Sequence, residues 1–251
     1  MADLDRNVLG QSYGATWGQA AAADIDIGLR KHMLQIYNYM ASGLLLSGIV
    51  AIVVANTGLQ DVFFQTAANG RVGYTGLGFV AMLAPIGIIL AMSFGAARMS
   101  SGTLQGLYWG LVGTMGIGFA VLLKVYTGVS VARVFFITSA AFGALSLYGY
   151  TTKKSLSGVG TFLFMGLIGM VIAGVVNIFM QSSMMSFIIS CVGLLVFSGL
   201  IAFDTQRLKN EYLEVRGTSL EERSAIMGAV SLYLNFVNLM QILLSFLGDR
   251  K

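Results

Sequence analysis

Two features of the sequence carry side chains whose type and position could do chemistry, and the first is a single acid. Asp204 follows the apolar run Val192–Phe203. A carboxyl group in or near hydrocarbon is costly, so such an acid is a functional candidate that needs a partner. Burial favours the neutral form of a carboxyl, whereas a guanidinium group or hydrogen-bond donors favour the ionised form. Asp204 is therefore a candidate proton switch. The alternative is that it lies in water and only ends its helix.

The second feature is a polar stripe on the last apolar segment. At about 100 degrees per residue, five polar side chains of this segment share an arc of about 120 degrees. They are Ser231, Asn235, Asn238, Gln241 and Ser245. Such a stripe should not face lipid. It faces either a water-filled path or neighbouring helices, where amides act as interhelical hydrogen-bonding groups.

Signatures of enzymes are scarce. His32 is the only histidine and stands beside Arg30 and Lys31, which does not suit a catalytic triad or a zinc site. Cys191 is the only cysteine, so neither an intrachain disulfide nor a thiolate metal site can form. The spans also lack the carboxylates that a di-metal helical bundle requires. We expect a protein that is not an enzyme and has no cofactor.

These residues must be positioned by a membrane protein. The chain has 251 residues, of which 56% are hydrophobic and 10% charged, and its mean hydropathy is +0.79. Soluble domains average about 25% charged residues. Between His32 and Phe203 the only charged residues are Asp61, Arg71, Arg98, Lys124, Arg133, Lys153 and Lys154. This pattern excludes a disordered chain and, despite the net charge of +4, a nucleic-acid-binding surface.

The fold class predicted is an all-α integral membrane protein with seven transmembrane helices. Continuous apolar runs of about 20 residues indicate helices rather than alternating barrel strands. The predicted spans are His32–Ala55, Val72–Phe94, Gln105–Tyr126, Val129–Tyr150, Gly158–Met180, Ser183–Phe203 and Ile226–Leu247. We expect a polar cytoplasmic segment at residues 1–31 and one transmembrane domain at residues 32–251, with a charged loop at residues 204–225.

Orientation follows from the lysines and arginines of the short loops. With the N-terminus in the cytoplasm, ten of them lie inside and five outside. The polar start of the chain lacks the apolar core of a cleaved signal peptide. Seven full crossings place Arg250 and Lys251 outside, whereas a re-entrant last hairpin would return them to the cytoplasm.

Two motifs resemble those of the Bax inhibitor-1, or transmembrane Bax inhibitor motif, family. The first is Gly199-Leu-Ile-Ala-Phe-Asp-Thr-Gln206, and the second is Ser231-Leu-Tyr-Leu-Asn-Phe-Val-Asn-Leu239. The number of spans and the lengths of the loops are also similar along most of the chain. The resemblance implies a bacterial inner-membrane protein with seven helices, the last of them central and wrapped by the other six.

The resemblance also implies a calcium leak that protons gate. In the family, the acid at the position of Asp204 pairs with a second acid on the last helix, and Asn235 stands at that second position. Two touching carboxylates share a proton, so we expect the Asp204–Asn235 pair to lose a two-step response to pH. Calcium prefers six to eight oxygen ligands, so Asp204 would be only a weak, transient Ca²⁺ contact.

Two functions follow as hypotheses. The first is a proton-modulated leak for Ca²⁺ or other cations, gated at Asp204 and Asn235, with Ser231, Asn238 and Gln241 as path-lining candidates. Its partners would be the lipid bilayer, Ca²⁺ and protons. The second is a stress-response protein that modulates a membrane-anchored quality-control protease through the polar segment Met1–Asp26, as the resemblance to bacterial relatives suggests.

Overall fold

The computed structural model describes residues 3–66, 72–96 and 98–251, and the side chains from residue 25 onward within those ranges, Thr66 and Val72 excepted. This part of the chain contains eight helices and one two-stranded antiparallel hairpin. The elements are α1 (Asp3–Asn56), α2 (Leu59–Phe63), β1 (Phe64–Thr66), β2 (Val72–Tyr74), α3 (Gly76–Gly95), α4 (Ser101–Val125), α5 (Gly128–Thr151), α6 (Ser157–Met180), α7 (Ser183–Val215) and α8 (Glu221–Leu247).

Seven of these helices are long and apolar enough to cross a membrane: α1, over Ile25–Asn56, and α3 to α8. The prediction of an all-α membrane protein with seven transmembrane helices is confirmed. Several of the helices begin at a hydroxyl side chain that accepts a hydrogen bond from the backbone N–H three residues later. These N-cap residues are Thr75, Ser100, Thr127 and Ser182, and each satisfies a backbone donor that the helix itself leaves free.

The predicted boundary at Phe203 and the predicted charged loop 204–225 are wrong. Helix α7 continues without interruption to Val215, and α8 already begins at Glu221. Only the short connection 216–220 joins them, with Gly217 at a φ of +71°. Hydropathy detects where the apolar side chains stop, but the backbone hydrogen bonds of a helix do not depend on that limit. Asp204 therefore lies within a 33-residue helix.

The start of the second predicted span is also wrong. Val72–Tyr74 is a strand that pairs with Phe64–Thr66, and the helix begins only at Gly76. Thr75 links the hairpin to the helix, because its hydroxyl donates to the Val62 carbonyl and accepts from the Gly78 N–H. The apolar residues of β2 directly precede the apolar run of α3, so the predicted span began too early.

Helix α8 is the central helix of the bundle. It packs against α1, α4, α5 and α7, whereas α3 packs on α4 and α6 packs on α7. Its fully buried side chains include Ile226, Leu232, Tyr233 and Leu239. The central position implied by the resemblance is confirmed, but the helices in direct contact with α8 are mainly four. A side chain on α8 can therefore be reached from several neighbours at once.

The C-terminal residues lie at the end of the bundle where α4 ends and α5 begins. The backbone N–H of Lys251 donates to the Val125 carbonyl over 3.0 Å, and that of Thr127 donates to the Asp249 carbonyl over 3.0 Å. The opposite end holds the α7 residue Tyr212, whose ring lies 5.1 Å from that of His32. Since α8 runs continuously between the two ends, the alternative of a re-entrant last hairpin is wrong.

The side chains of the polar N-terminal segment, residues 1–31, are described only from Ile25 onward. Helix α1 begins at Asp3. The side chains before Ile25 and the backbone of residues 1 and 2 lie outside the described residues. The hypothesis of a protease partner depends on the surface of Met1–Asp26, so it stays a prediction.

Candidate functional site

Asp204 is buried, with 3% of its surface exposed. It is the only buried acid among the residues whose side chains the structure describes. The alternative in which this carboxyl lies in water at the membrane surface is therefore wrong. A buried charge requires donors or a counter-ion, and the contacts of Asp204 supply both.

Both carboxylate oxygens of Asp204 accept hydrogen bonds. Ser231 Oγ donates to Oδ2 over 2.6 Å, and Asn235 Nδ2 donates to the same oxygen over 2.7 Å. Arg207 binds the other oxygen through Nε at 3.1 Å and Nη2 at 3.0 Å. Ser231 and Asn235 are one helical turn apart on α8, whereas Arg207 follows Asp204 by three residues on α7, so both helices contribute to the site. We call Asp204, Arg207, Ser231 and Asn235 the Asp204 cluster.

Arg207 joins the buried acid to the polar end of α7. Its guanidinium lies 3.8 Å from Glu211 Oε2 and donates from Nη2 to Ser231 Oγ over 3.4 Å. The side chain of Arg207 is 43% exposed, against 5% for that of Asp204. Arg207 thus covers the carboxylate on its open side. Hydrogen bonds to charged groups of this kind contribute more than neutral ones.

The remainder of the predicted stripe lies further along α8. Asn238 is half-buried, and Gln241 and Ser245 are exposed. Within the described part of the chain, Asn238 and Gln241 form no hydrogen bond, and Ser245 bonds only to the carbonyl of Ile242 in its own helix. The structure therefore brings Ser231 and Asn235 to Asp204 but leaves Asn238 and Gln241 without polar partners. The stripe is not used throughout as interhelical hydrogen-bonding groups.

The residue after Asp204 faces a different neighbour. Thr205 Oγ1 lies 3.1 Å from Ser146 Oγ on α5, and Ser146 Oγ lies 2.5 Å from the hydroxyl of Tyr37 on α1. Thr205 also donates to the Ile201 carbonyl one turn earlier. This chain of hydroxyl groups links α7, α5 and α1 beside the Asp204 cluster.

Gln206 binds the connection between α5 and α6. Its Oε1 accepts from the backbone N–H of Leu156 over 2.7 Å, and its Nε2 donates to the Lys154 carbonyl over 2.9 Å. Phe203, on the other side of Asp204, packs on α6, where its ring occupies the space above Gly160 and meets Phe164 edge to face. A larger residue at 160 would displace this ring.

The motif Phe203–Gln206 therefore acts as a junction. Four successive residues of α7 point in different directions around the helix and reach α6, α8, α5 and the α5–α6 connection in turn. A helix places successive side chains about 100 degrees apart, which explains how so short a motif contacts most of the surrounding elements. A change in the contact between Asp204 and α8 is thus coupled to three other packed elements.

The donor set around Asp204 does not form a closed metal site. The described residues contain no group of three or more His, Cys, Asp or Glu side chains that could hold a metal ion. Every polar contact of the Asp204 carboxylate is a donor, and one donor is cationic. A divalent cation could reach this carboxylate only after Arg207 had moved away.

Sequence reasoning missed the role of Arg207. The spacing in the sequence could have predicted this ion pair, because an arginine three residues after an acid lies on the same face of a helix. The spacing was not interpreted in this way because the predicted helix ended at Phe203, so that Asp204 and Arg207 both fell in a predicted loop.

Comparison with known proteins gives a consistent result. A family model described as "Inhibitor of apoptosis-promoting Bax1" matches residues 29–251. The match includes every residue of the Asp204 cluster and all seven candidate spans apart from the start of the first.

Several bacterial proteins are similar along most of their length. A protein of Rickettsia prowazekii is 44% identical over 227 residues, which cover 90% of this chain and 92% of the relative. A protein of Caulobacter vibrioides is 44% identical over 233 residues, covering 92% and 93% of the two chains. The inner membrane protein YbhL of Escherichia coli K12 is 38% identical over 227 residues, covering 89% and 94%.

Proposed function

The chain belongs to the Bax inhibitor-1 family of integral membrane proteins, and we propose that it is a cation leak pathway, chiefly for Ca²⁺, that the Asp204 cluster holds closed. The single observation that carries the proposal is the buried Asp204 carboxylate, which joins α7 to the central helix α8. The protein acts in this proposal without a catalytic group or a resident cofactor, and Ca²⁺ is its cargo.

The closed state depends on the ionised form of Asp204. Its oxygens accept from Ser231, Asn235 and Arg207. A protonated carboxyl loses its charge and uses one oxygen as a donor. It would then lose the ion pair with Arg207 at Oδ1, and the hydrogen bonds from Ser231 and Asn235 to Oδ2 would weaken because their acceptor is no longer charged. Lower pH should therefore weaken the contact between α7 and α8 and raise the leak.

The polar stripe supplies a route beyond the cluster. Asn238 and Gln241 follow Asn235 along α8 and form no hydrogen bond to other described residues, so their amides remain available to a hydrated ion. Because α8 rises about 1.5 Å per residue, the stripe from Ser231 to Gln241 extends about 15 Å along the helix. Ions would pass along this face once the Asp204 contact opens.

The site favours passage over tight binding. One carboxylate with the amide oxygens of Asn235 and Asn238 supplies fewer ligands than the six to eight oxygens that Ca²⁺ prefers. The Arg207 guanidinium also repels a cation while it pairs with Asp204. Both properties fit a transient contact, which a leak requires. A pathway with one titrating carboxyl should respond to pH in one step.

The count of lysines and arginines in the short loops predicts a cytoplasmic N-terminus. The Asp204 cluster lies towards the same end of the bundle as Tyr212 and His32, because Arg207 contacts Glu211, which is one helical turn further along α7 and directly precedes Tyr212. The proton that opens the path would then be a cytoplasmic one.

The test is Ca²⁺ flux into proteoliposomes that contain the purified full-length protein, measured across a pH series. Wild-type flux should rise as pH falls. Asp204→Asn, which mimics the neutral carboxyl, should leak at all pH values and lose the pH response. Arg207→Gln should raise flux at neutral pH because it removes the cation that covers the carboxylate.

Asp61→Asn is the matched control, since Asp61 is an exposed acid of α2 and belongs to no cluster described above. It should behave as wild type. Unchanged flux and unchanged pH response in Asp204→Asn would exclude Asp204 as the gate. Absence of flux in wild type at every pH, with the protein correctly inserted, would exclude the leak itself.

A further inference from the structure

A second feature of the bundle lies away from the Asp204 cluster. A cavity of about 760 Å³ opens between α1 and α5 at the end of the bundle where α4 ends. Its floor includes Val237 and Met240 of the central helix. The volume is in the range of small-molecule sites, which extends from about 300 to 1,000 Å³.

The cavity continues towards the middle of the bundle as an apolar groove. A neighbouring cavity of about 480 Å³ shares Leu44, Gly48, Ile52 and Phe135 with it and reaches Phe236. On the α1 side of the groove, Leu45 is 66% exposed. An opening between two membrane-spanning helices that is edged by exposed apolar side chains faces lipid in a bilayer. The groove thus has the shape of an extended chain rather than of a compact ligand.

The charged side chains that line the mouth of the cavity have one sign. Lys124 and Lys251 line this end, and none of the lining residues is an acid. Lys124 makes no ion pair with any described residue, and Lys251 Nζ donates only to the Leu123 carbonyl. The acid of the same C-terminal segment, Asp249, lies 3.7 Å from Arg133 and is paired with it. The two ammonium groups are therefore available to an anion at the membrane interface.

The geometry points to a binding site for one anionic phospholipid. An acyl chain of the lipid would lie in the groove between α1 and α5, and its phosphate would contact Lys124 and Lys251. The apolar walls supply the favourable burial of the chain, and the two lysines supply charge-assisted hydrogen bonds to the phosphate. Charge at the mouth is what selects an anionic headgroup over a zwitterionic one.

The groove can be filled by substitution at Gly48. A Cβ added at Gly48 meets no atom within 4 Å, so Gly48→Leu can place its side chain in the groove without a clash with the backbone. Gly118 on α4 has the same freedom and does not line the cavity, so Gly118→Leu is the matched control. Ala132→Leu fills the groove from the α5 side, where Ala132 is exposed.

The experiment is native mass spectrometry of the full-length protein in mild detergent with phosphatidylglycerol or phosphatidylcholine added. Wild type should retain one phosphatidylglycerol molecule at least fivefold more strongly than phosphatidylcholine. Gly48→Leu and Ala132→Leu should lose this bound lipid, whereas Gly118→Leu should keep it. Lys124→Gln should lower the preference for phosphatidylglycerol to near unity, and Lys153→Gln, at an exposed lysine far from the cavity, should not.

Three outcomes would overturn the proposal. The first is equal retention of the two lipids by wild type. The second is retention of phosphatidylglycerol by both groove-filling variants, once thermal unfolding shows that they are folded. The third is a wild-type dimer that the groove-filling variants dissociate, because the groove would then hold a second copy of the chain.

Discussion

Asn235 donates a hydrogen bond from Nδ2 to Asp204 Oδ2 over 2.7 Å, and this bond connects the buried acid of α7 to the central helix α8. The resemblance to the Bax inhibitor-1 family implies that family members carry an acid at the position that Asn235 occupies in this chain. An amide there can donate to an ionised partner, which a second ionised carboxylate cannot do. The pair therefore needs no shared proton to remain in contact.

Asn235→Asp tests this relationship. It places two carboxylates in contact inside the bundle, where both cannot ionise together without a large cost. The contact would then hold only when one of the two is protonated, so stability should be lost as pH rises. We expect the variant to be less stable than wild type by about 1–3 kcal/mol at pH 8, from the loss of a buried hydrogen bond to a charged group, and to approach wild type as the pH is lowered. Thermal unfolding in detergent across pH measures the effect.

The matched control is Asn238→Asp, the same substitution at a half-buried position with no contact to Asp204. Its difference from wild type should not show the same recovery at low pH. Equal behaviour of the two variants would mean that proximity to Asp204 does not matter.

A second prediction concerns the approach of α5 to α7. A Cβ at Gly149 would overlap the backbone of Ala202, two residues before the Asp204 cluster, whereas a Cβ at Gly143 on the same helix meets no atom within 4 Å. Gly149→Ala should destabilise the protein by about 1–3 kcal/mol, as overpacking commonly does, because α5 must move away. Gly143→Ala should stay within about 0.5 kcal/mol of wild type. Chemical or thermal unfolding of both variants in one detergent gives the comparison, and equal effects would show that the close approach is not limiting.

The sequence predicted the membrane fold because hydropathy reports directly on what the bilayer requires. It also predicted that Ser231 and Asn235 share a face of α8 that reaches Asp204, since helical periodicity fixes which side chains point together. The end of α7 and the ion pair with Arg207 were not predicted. Both depend on a helix that continues beyond its apolar run, and side-chain hydropathy carries no information on that point.

The path-lining residues show a further limit. Asn238 and Gln241 lie on the predicted face, but periodicity alone could not tell which members of the stripe would find a partner. That depends on which neighbour stands opposite each turn of α8. The hairpin Phe64–Thr66 with Val72–Tyr74 was missed for a related reason, because pairing between short strands leaves little pattern in an apolar segment.

The third prediction concerns Gln206. Its side chain binds the Leu156 N–H and the Lys154 carbonyl, so it stabilises the connection between α5 and α6. Gln206→Ala should increase hydrogen–deuterium exchange at residues 152–157 by about five- to tenfold, the equivalent of about 1 kcal/mol for a lost hydrogen bond. Gln241→Ala is the control, because Gln241 is exposed and distant in sequence from this connection. Unchanged exchange in Gln206→Ala would show that the connection is held by other contacts.

The last prediction concerns His32, which is buried with 1% of its surface exposed. Neither ring nitrogen forms a hydrogen bond with any described residue, and the ring packs against Tyr212. A buried polar group without a partner costs about 1–3 kcal/mol, and leucine fills a similar volume without that cost. His32→Leu should therefore unfold at a higher temperature than wild type, and His32→Gln, which keeps a polar group, should not. A loss of stability in His32→Leu would contradict this prediction. It would mean that the imidazole beside Tyr212 makes a hydrogen bond that stabilises the fold.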